Sequence, residues 1–287
     1  MSGTSAFLKS IRMSKPRAAN AKQPRREEAA RKNDRQFVTA LGRGLDILQC
    51  FTPAIPELGT SQIARMTGLP QPTVWRLCHT MTKLGFLVQT PDQDRLRLGL
   101  PVLTLGYAVL VSQRIGETAK PYMETIAKRY HGAVSLGVRD GLSMVYLQRC
   151  QGSSIILADL SVGSRVPLAY SATGWAYLAA VSEKERKQLL SEIRASDRQK
   201  WAAIEPLFET SLKDFRKTGY VVNLGSLHPQ VNAVAVPVKS QDGSSLLTIS
   251  SGGISSVFTN KVLIEVGAEL KTLADKLGRA ITRNTKL

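Results

Sequence analysis

The sequence predicts an α+β protein: an N-terminal winged helix-turn-helix joined by a linker helix to a larger α+β domain. Three observations point there. Between residues 37 and 84 an amphipathic helical run, a short helix, a Gly-Leu-Pro break and a second short helix follow one another. The apolar period then switches to two over residues 86–90 and 95–98, around a polar tip. Beyond residue 115, strand-like runs come in hairpin pairs with the helices grouped, the pattern of an antiparallel α+β domain. A length of 287 residues suits this division. The expected boundaries are a basic arm over 1–35, the winged helix over 36–100, a linker helix over 101–114 and the second domain over 115–287.

The first helix rests on Phe37, Leu41, Leu45, Leu48 and Phe51, spaced three to four apart and stopped by Thr52-Pro53. The second covers residues 60–67, with Thr60 placed to cap it. The third opens at Gln71, with Pro72 where a missing N–H costs nothing. Its stripe of Val74, Leu77, Met81 and Leu84 is expected to pack on Ile63, Ala64 and Leu69, which leaves a polar outward face. A short helix, a glycine turn and a polar-faced second helix describe a reader for the DNA major groove, and the hairpin after it is the wing. The candidate DNA-binding residues are Gln71, Pro72, Thr73, Trp75, Arg76 and His79 on the third helix. Ser61 and Gln62 on the second, Arg43 on the first, and Arg95 and Arg97 on the wing complete the set.

Charge agrees with that reading. The chain carries 39 Lys+Arg against 22 Asp+Glu, a formal net charge of +17. Residues 1–35 hold 10 Lys/Arg and 3 Asp/Glu with almost no large apolar side chain after Met13, the composition of a disordered polybasic arm that neutralises phosphates. A transit peptide and a plain solvated tail are the other readings of that segment; the apolar core of a secretory signal is lacking. The longest markedly apolar uncharged stretch, residues 98–113, is 16 residues long and contains Gly99, Pro101 and Gly106. It falls short of the ~20 residues a membrane span needs, so no membrane association is expected. As a helix it is apolar on nearly every side and must bury more than one face, which makes it a natural dimer contact.

Cys50, Cys78 and Cys150 are scattered, without ligand spacing, so no metal site or disulfide framework is expected. They fit a reducing compartment such as the cytoplasm. In the second domain, strands are expected at 133–139, 144–150, 155–160, 166–168, 220–223, 232–239 and 245–251. Helices are expected at 119–130, 172–181, 183–193, 201–217 and 259–282. GxSxG, HExxH and GxxxxGK[ST] are all missing, and Gly42-Arg43-Gly44 lacks a third glycine. His131 sits at a helix end, His228 precedes a proline, and Asp140-Gly141 has the chemistry of a hairpin turn. No catalytic residue, enzymatic activity or cofactor is expected. The competing reading is a small-molecule-binding protein or enzyme with only non-specific affinity for nucleic acid.

The stretches VTALGRGLDILQCF, TSQIARMTGLPQPTVWRLCHTMTKLGFL, RLRLGLPVLTLG, LSVGSRVPLAYSATGWAYLAA, GYVVNLGSLHPQVNAVAVPV and LLTISSGG occur in this order. Over residues 38–281 the chain resembles the IclR family of bacterial transcription regulators. The resemblance implies double-stranded operator DNA as partner, a GAF-like second domain that binds a small organic effector, and self-association as a dimer or dimer of dimers. It places effector contacts at Ile155, Val166, Ala172, Thr173, Asn223, Ala233 and either Ser250 or Ser251. Asn223 stands where relatives that bind small keto acids carry an acid, Trp175 replaces a basic residue, and Gln230 replaces a glycine. Those departures favour a larger, flatter ligand, such as an aromatic acid, over a two-carbon acid.

Overall fold

A computed structural model describes residues 35–91, 94–112, 114–152 and 160–281. The chain divides into two compact units, one ending at Ala108 and one beginning at Val109.

In the first unit, α1 (Thr39–Leu48), α2 (Thr60–Thr67) and α3 (Gln71–Lys83) pack around Ile47, Ile63, Val74, Cys78 and Met81. The face that α1 buries differs from expectation. Ile47, Cys50 and Phe51 enter the core, whereas Leu41 is 62% exposed and Leu45 is 50% exposed. Ile47 lies about 120° around the helix from Leu41 and about 160° from Leu45, so α1 carries two apolar stripes, one of them on the surface. The start of α2 also differs: the cap is Gly59, whose N–H donates to Gln62 Oε1 at 2.9 Å, rather than the Thr60 hydroxyl. Gly68, at φ 71°, ends α2 in a left-handed conformation that favours glycine. On α3, Cys78 is buried in the core, whereas Leu84, expected there, lies exposed at the helix end.

The wing is β1 (Leu87–Gln89) paired antiparallel with β2 (Leu96–Leu98), Val88 opposite Arg97. Leu96 also bridges Leu58, which ties the wing to the segment before α2. Helix α4 (Leu100–Ser112) crosses the division between the units. Its expected burial on more than one face does not occur within the single chain, where Leu105 is 60% exposed and Val109 is 55% exposed.

The second unit is built on a six-stranded antiparallel sheet. The strands are β3 (Ala133–Asp140), β4 (Ser143–Gln151), β5 (Arg165–Pro167), β6 (Val221–Leu224), β7 (Val231–Lys239) and β8 (Leu246–Ile254), in spatial order β5-β4-β3-β8-β7-β6. Helices α5 (Ile115–Arg129) and α9 (Asn260–Ala280) cover one face, over Val134, Leu136, Val234, Val236, Leu247 and Ile249. Helices α6 (Ala172–Ala180), α7 (Glu183–Ser196) and α8 (Arg198–Thr218) belong to the core on the other face, with Tyr146, Trp175, Phe208 and Ala235. Helix α8 starts three residues earlier than expected because the Asp197 side chain caps it, accepting the Lys200 N–H at 3.1 Å. The strand expected at 155–160 falls, except for Leu160, outside the described residues, as do residues 1–34 of the basic arm and Thr282.

The start of α6 is tightly specified. Ser171 Oγ accepts the Gly174 N–H at 3.1 Å, and Trp175 Nε1 donates to Ala169 O at 2.8 Å. A Cβ at Gly174 would lie 2.0 Å from the Leu168 carbonyl oxygen, so only glycine lets the helix approach this closely. Gly174→Ala is therefore expected to lower stability by about 1–3 kcal/mol, the range for overpacking. Urea denaturation checks it, and an unchanged midpoint would contradict the close approach.

Candidate nucleic-acid interface and ligand cavity

The outward side of α3 collects most of the expected reading residues. Gln71, Pro72, Trp75, Arg76 and His79 are exposed and Thr73 is half-buried, while Val74, Cys78 and Met81 anchor the opposite side. Trp75 is 59% exposed, and its ring stacks on His79 with centroids 5.4 Å apart. Gln71 Nε2 donates to Ser61 Oγ at 3.0 Å, which joins the start of α3 to α2. Gln62, half-buried, is engaged in capping Gly59. Arg95 and Arg97 are exposed on either side of the buried Leu96, and Arg43 is half-buried on α1. Two of these contacts, Gln71 with Ser61 and Trp75 with His79, bring members of the expected set together.

In the second unit, the sheet face toward α6 carries small residues in register. Ser135 pairs with Ser250, which pairs with Ala235; Ala133 pairs with Gly252, which pairs with Ala233, which pairs with Asn223. Side chains that small leave a cavity of about 40 Å³ between the sheet and the start of α6. Ala172, Thr173, Asn223, Ala233 and Ser250 of the expected effector set line it. Val166 does not: it pairs with Met144 and is buried in the core shared with α6–α8. Ser251 does not either. It pairs with Val134 and Val234, which face α5 and α9, so the pleat turns it to the other side of the sheet. Ile155 lies outside the described residues.

Asn223 is 2% exposed, and both ends of its amide are engaged. Nδ2 donates to Tyr170 O at 3.0 Å and Oδ1 accepts the Ser226 N–H at 3.2 Å, so the side chain fastens β6 to the loop before α6. Thr173 Oγ1 donates to Ser171 Oγ at 3.2 Å.

Arg149, Tyr146, Ser135, Ser171, Leu160, Leu227 and Val231 also line the cavity and were not anticipated. For Arg149 and Tyr146 the reason is a β-bulge. Residues 146 and 149 are three apart, so strict alternation sends them to opposite faces. The β3–β4 register shifts between Leu136 and Gly137, so Gly137 pairs with Tyr146 while Ser135 pairs with Arg149, and both reach the cavity. The hint in the sequence is Gly137 inside the strand, since an interior glycine often marks a bulge. Arg149 Nη1 donates to Ser135 Oγ at 2.8 Å, and its guanidinium lies 5.8 Å from the Tyr146 ring centroid. Burial raises the Tyr146 phenol above its ordinary value, while Arg149, Ser135 and Thr173 pull it down. Burial also lowers the Arg149 guanidinium from its usual value.

Both halves of the chain match a single family. The profile described as "IclR helix-turn-helix domain" matches residues 40–91, and "Bacterial transcriptional regulator IclR C-terminal" matches residues 107–279. The chain belongs to the IclR family of transcriptional regulators. It is 34% identical over 202 residues to the HTH-type transcriptional regulator TsaQ1/TsaQ2 of Comamonas testosteroni, covering 70% of this chain and 72% of that protein. The crystal structure of an IclR family transcriptional regulator from Brucella abortus is 40% identical, covers 88% of this chain and 95% of its own, and superposes with a TM-score of 0.79. An IclR homolog from Microbacterium hydrocarbonoxydans, solved in complex with 4-hydroxybenzoate, shares the fold at 22% identity and a TM-score of 0.67, covering 84% of this chain and all 100% of its own. The α+β fold read from the sequence is thus the fold of the family.

Among the described residues no group of three or more His, Cys, Asp and Glu is placed to hold a metal ion, and no helix is long and apolar enough to cross a membrane. All three cysteines are free and buried. Burial pushes the Cys50 and Cys78 thiols up to about 11, which leaves them far from the thiolate form at neutral pH.

Proposed function

We propose that this IclR-family regulator reads a two-fold operator with α3 in the major groove, and that a small organic acid in the sheet cavity controls it. The observation that carries the DNA reading is the exposed Trp75–Arg76–His79 face set on a helix whose other side is anchored in the core. Arg76 sits mid-helix, where a guanidinium donates a bidentate pair to guanine, worth about 1–3 kcal/mol of discrimination. Gln71, Pro72 and Thr73 with Ser61 and Gln62 hold the helix start at the groove edge, while Arg43, Arg95 and Arg97 contact phosphates. Trp75 and His79 supply apolar and base-edge contacts. The basic arm of residues 1–35 adds phosphate contacts that weaken as salt rises. Arg76→Ala is expected to weaken the operator about 5- to 150-fold in a mobility-shift assay and random DNA far less. An equal loss on both makes Arg76 a phosphate clamp.

A two-fold operator calls for a two-fold protein. Helix α4 exposes Leu100, Leu103, Leu105, Tyr107, Val109 and Val111, and α1 exposes Leu41 and Leu45 next to Val38. Apolar surface of that extent on a helix marks an interaction site. These faces meet a second copy of the chain, as a dimer or a dimer of dimers. Leu105→Lys is expected to yield monomer or insoluble chain where the parent sediments as a dimer. A soluble dimer in the variant places the interface elsewhere.

The sheet cavity is the effector site, lined by Ala172, Thr173, Asn223, Ala233 and Ser250. The neutral Asn223 and the apolar walls Leu227 and Val231 favour a ligand with an apolar body, such as an aromatic acid. The complex of the Microbacterium hydrocarbonoxydans homolog with 4-hydroxybenzoate supports that class. The regulator works in the bacterial cytoplasm, at the nucleoid.

A further inference from the structure

The cavity is chemically lopsided. On the β3–β4 side stand Arg149, Ser135 and Tyr146; on the β6–β7 side stand Asn223, Leu227, Val231 and Ala233. Among the described lining residues the charge is carried by Arg149, and none is a carboxylate. Building on the reading of this cavity as the effector site, we propose that Arg149 is its anion subsite and that the effector is a monocarboxylate. Its apolar body lies on Ala133, Ala233, Leu227 and Val231.

Three features carry this. The bulge at Leu136/Gly137 brings Arg149 into the cavity, and its hydrogen bond to Ser135 Oγ at 2.8 Å orients the guanidinium across the sheet. A guanidinium presents its donors in a planar fork that matches a carboxylate bidentately. Burial pulls the Arg149 pKa down because water solvates the cation poorly there, and a bound anion offsets that loss. The opposite wall explains why one charge suffices. Asn223 is neutral and its amide already serves Tyr170 and Ser226, so a second carboxylate would be set against an amide and leucine and valine side chains. At about 40 Å³ the cavity has room for a few waters, so a ring-sized ligand enters only as the walls part. That parting is the change a ligand can stabilise.

The test is calorimetric titration of the full chain with acetate, benzoate and phenylacetate, with their amides as neutral isosteres, and with phthalate as a dicarboxylate. The parent is expected to bind at least one of the monocarboxylates about 10- to 100-fold more tightly than its amide, the range for a hydrogen-bonded charge, and more tightly than phthalate. Arg149→Gln is expected to bring acid and amide to equal affinity. Should Arg149→Gln fail to fold by circular dichroism, Arg149→Met, with an apolar stem of similar reach, reads the same loss. An acid preference that survives in these variants overturns the anion subsite, as does a parent chain that binds none of the acids or does not distinguish acid from amide. Thr173→Phe, which fills the cavity, separates the two layers of inference. An acid that binds Thr173→Phe as tightly as the parent overturns the cavity as its site. An acid excluded by Thr173→Phe but still preferred in Arg149→Gln overturns the anchor alone.

Discussion

The sheet of the C-terminal unit is buried on both faces, and the two faces are filled unequally. Val134, Leu136, Val234, Val236, Leu247 and Ile249 form one buried apolar core with α5 and α9. The alternate residues of the same strands, Ala133, Ser135, Ala233, Ala235, Ser250 and Gly252, are too small to fill the space beneath the start of α6. A close-packed interior does not leave such room without a compensating feature. Here the room is lined with hydroxyls, an amide and a guanidinium, groups that need hydrogen-bonding partners and so favour a polar guest over a dry void. The helix start is held against this space by Ser171, Gly174 and Trp175, so the cavity is a product of specified packing.

How much of this was legible in the sequence follows from which physical signal each feature leaves. The bounds of α2, the start of α3 at Gln71 and the ranges of β3, β4 and β7 were readable, because breakers and short apolar runs are local. The face that α1 buries was not. Leu41 and Leu45 look like core residues until the neighbours of Ile47 are known. The cap of α2 was misplaced by one residue because Gln62 reaches back to Gly59, a contact that competes with the Thr60 hydroxyl. In the cavity, Ala172, Thr173, Asn223, Ala233 and Ser250 came from resemblance, whereas Arg149 and Tyr146 stayed hidden behind a register shift that alternation cannot reveal. The same alternation separates Ser250 from Ser251 once the strand pairing is known.

Helix α4 is the other place where a sequence rule and the single chain disagree. A helix apolar all round is ordinarily interior, and here Leu103, Leu105, Tyr107 and Val109 lie on the surface of one chain. The rule and the observation are reconciled if the burial comes from a second copy. A dimeric regulator then has a route from ligand to DNA, since a ligand acts only through differential affinity for two arrangements of the pair.

The proposed coupling between cavity and reader is the most direct point of test. Operator DNA is titrated into the full chain with and without a saturating carboxylate that is shown to bind it, at one salt concentration. The predicted result is a change in operator affinity of about 5- to 150-fold, the usual span of allosteric coupling, with the carboxylate's own affinity changing by the same factor when operator is bound. The change should vanish in Thr173→Phe while operator affinity itself remains. Operator affinity that is the same with and without the bound carboxylate would contradict it.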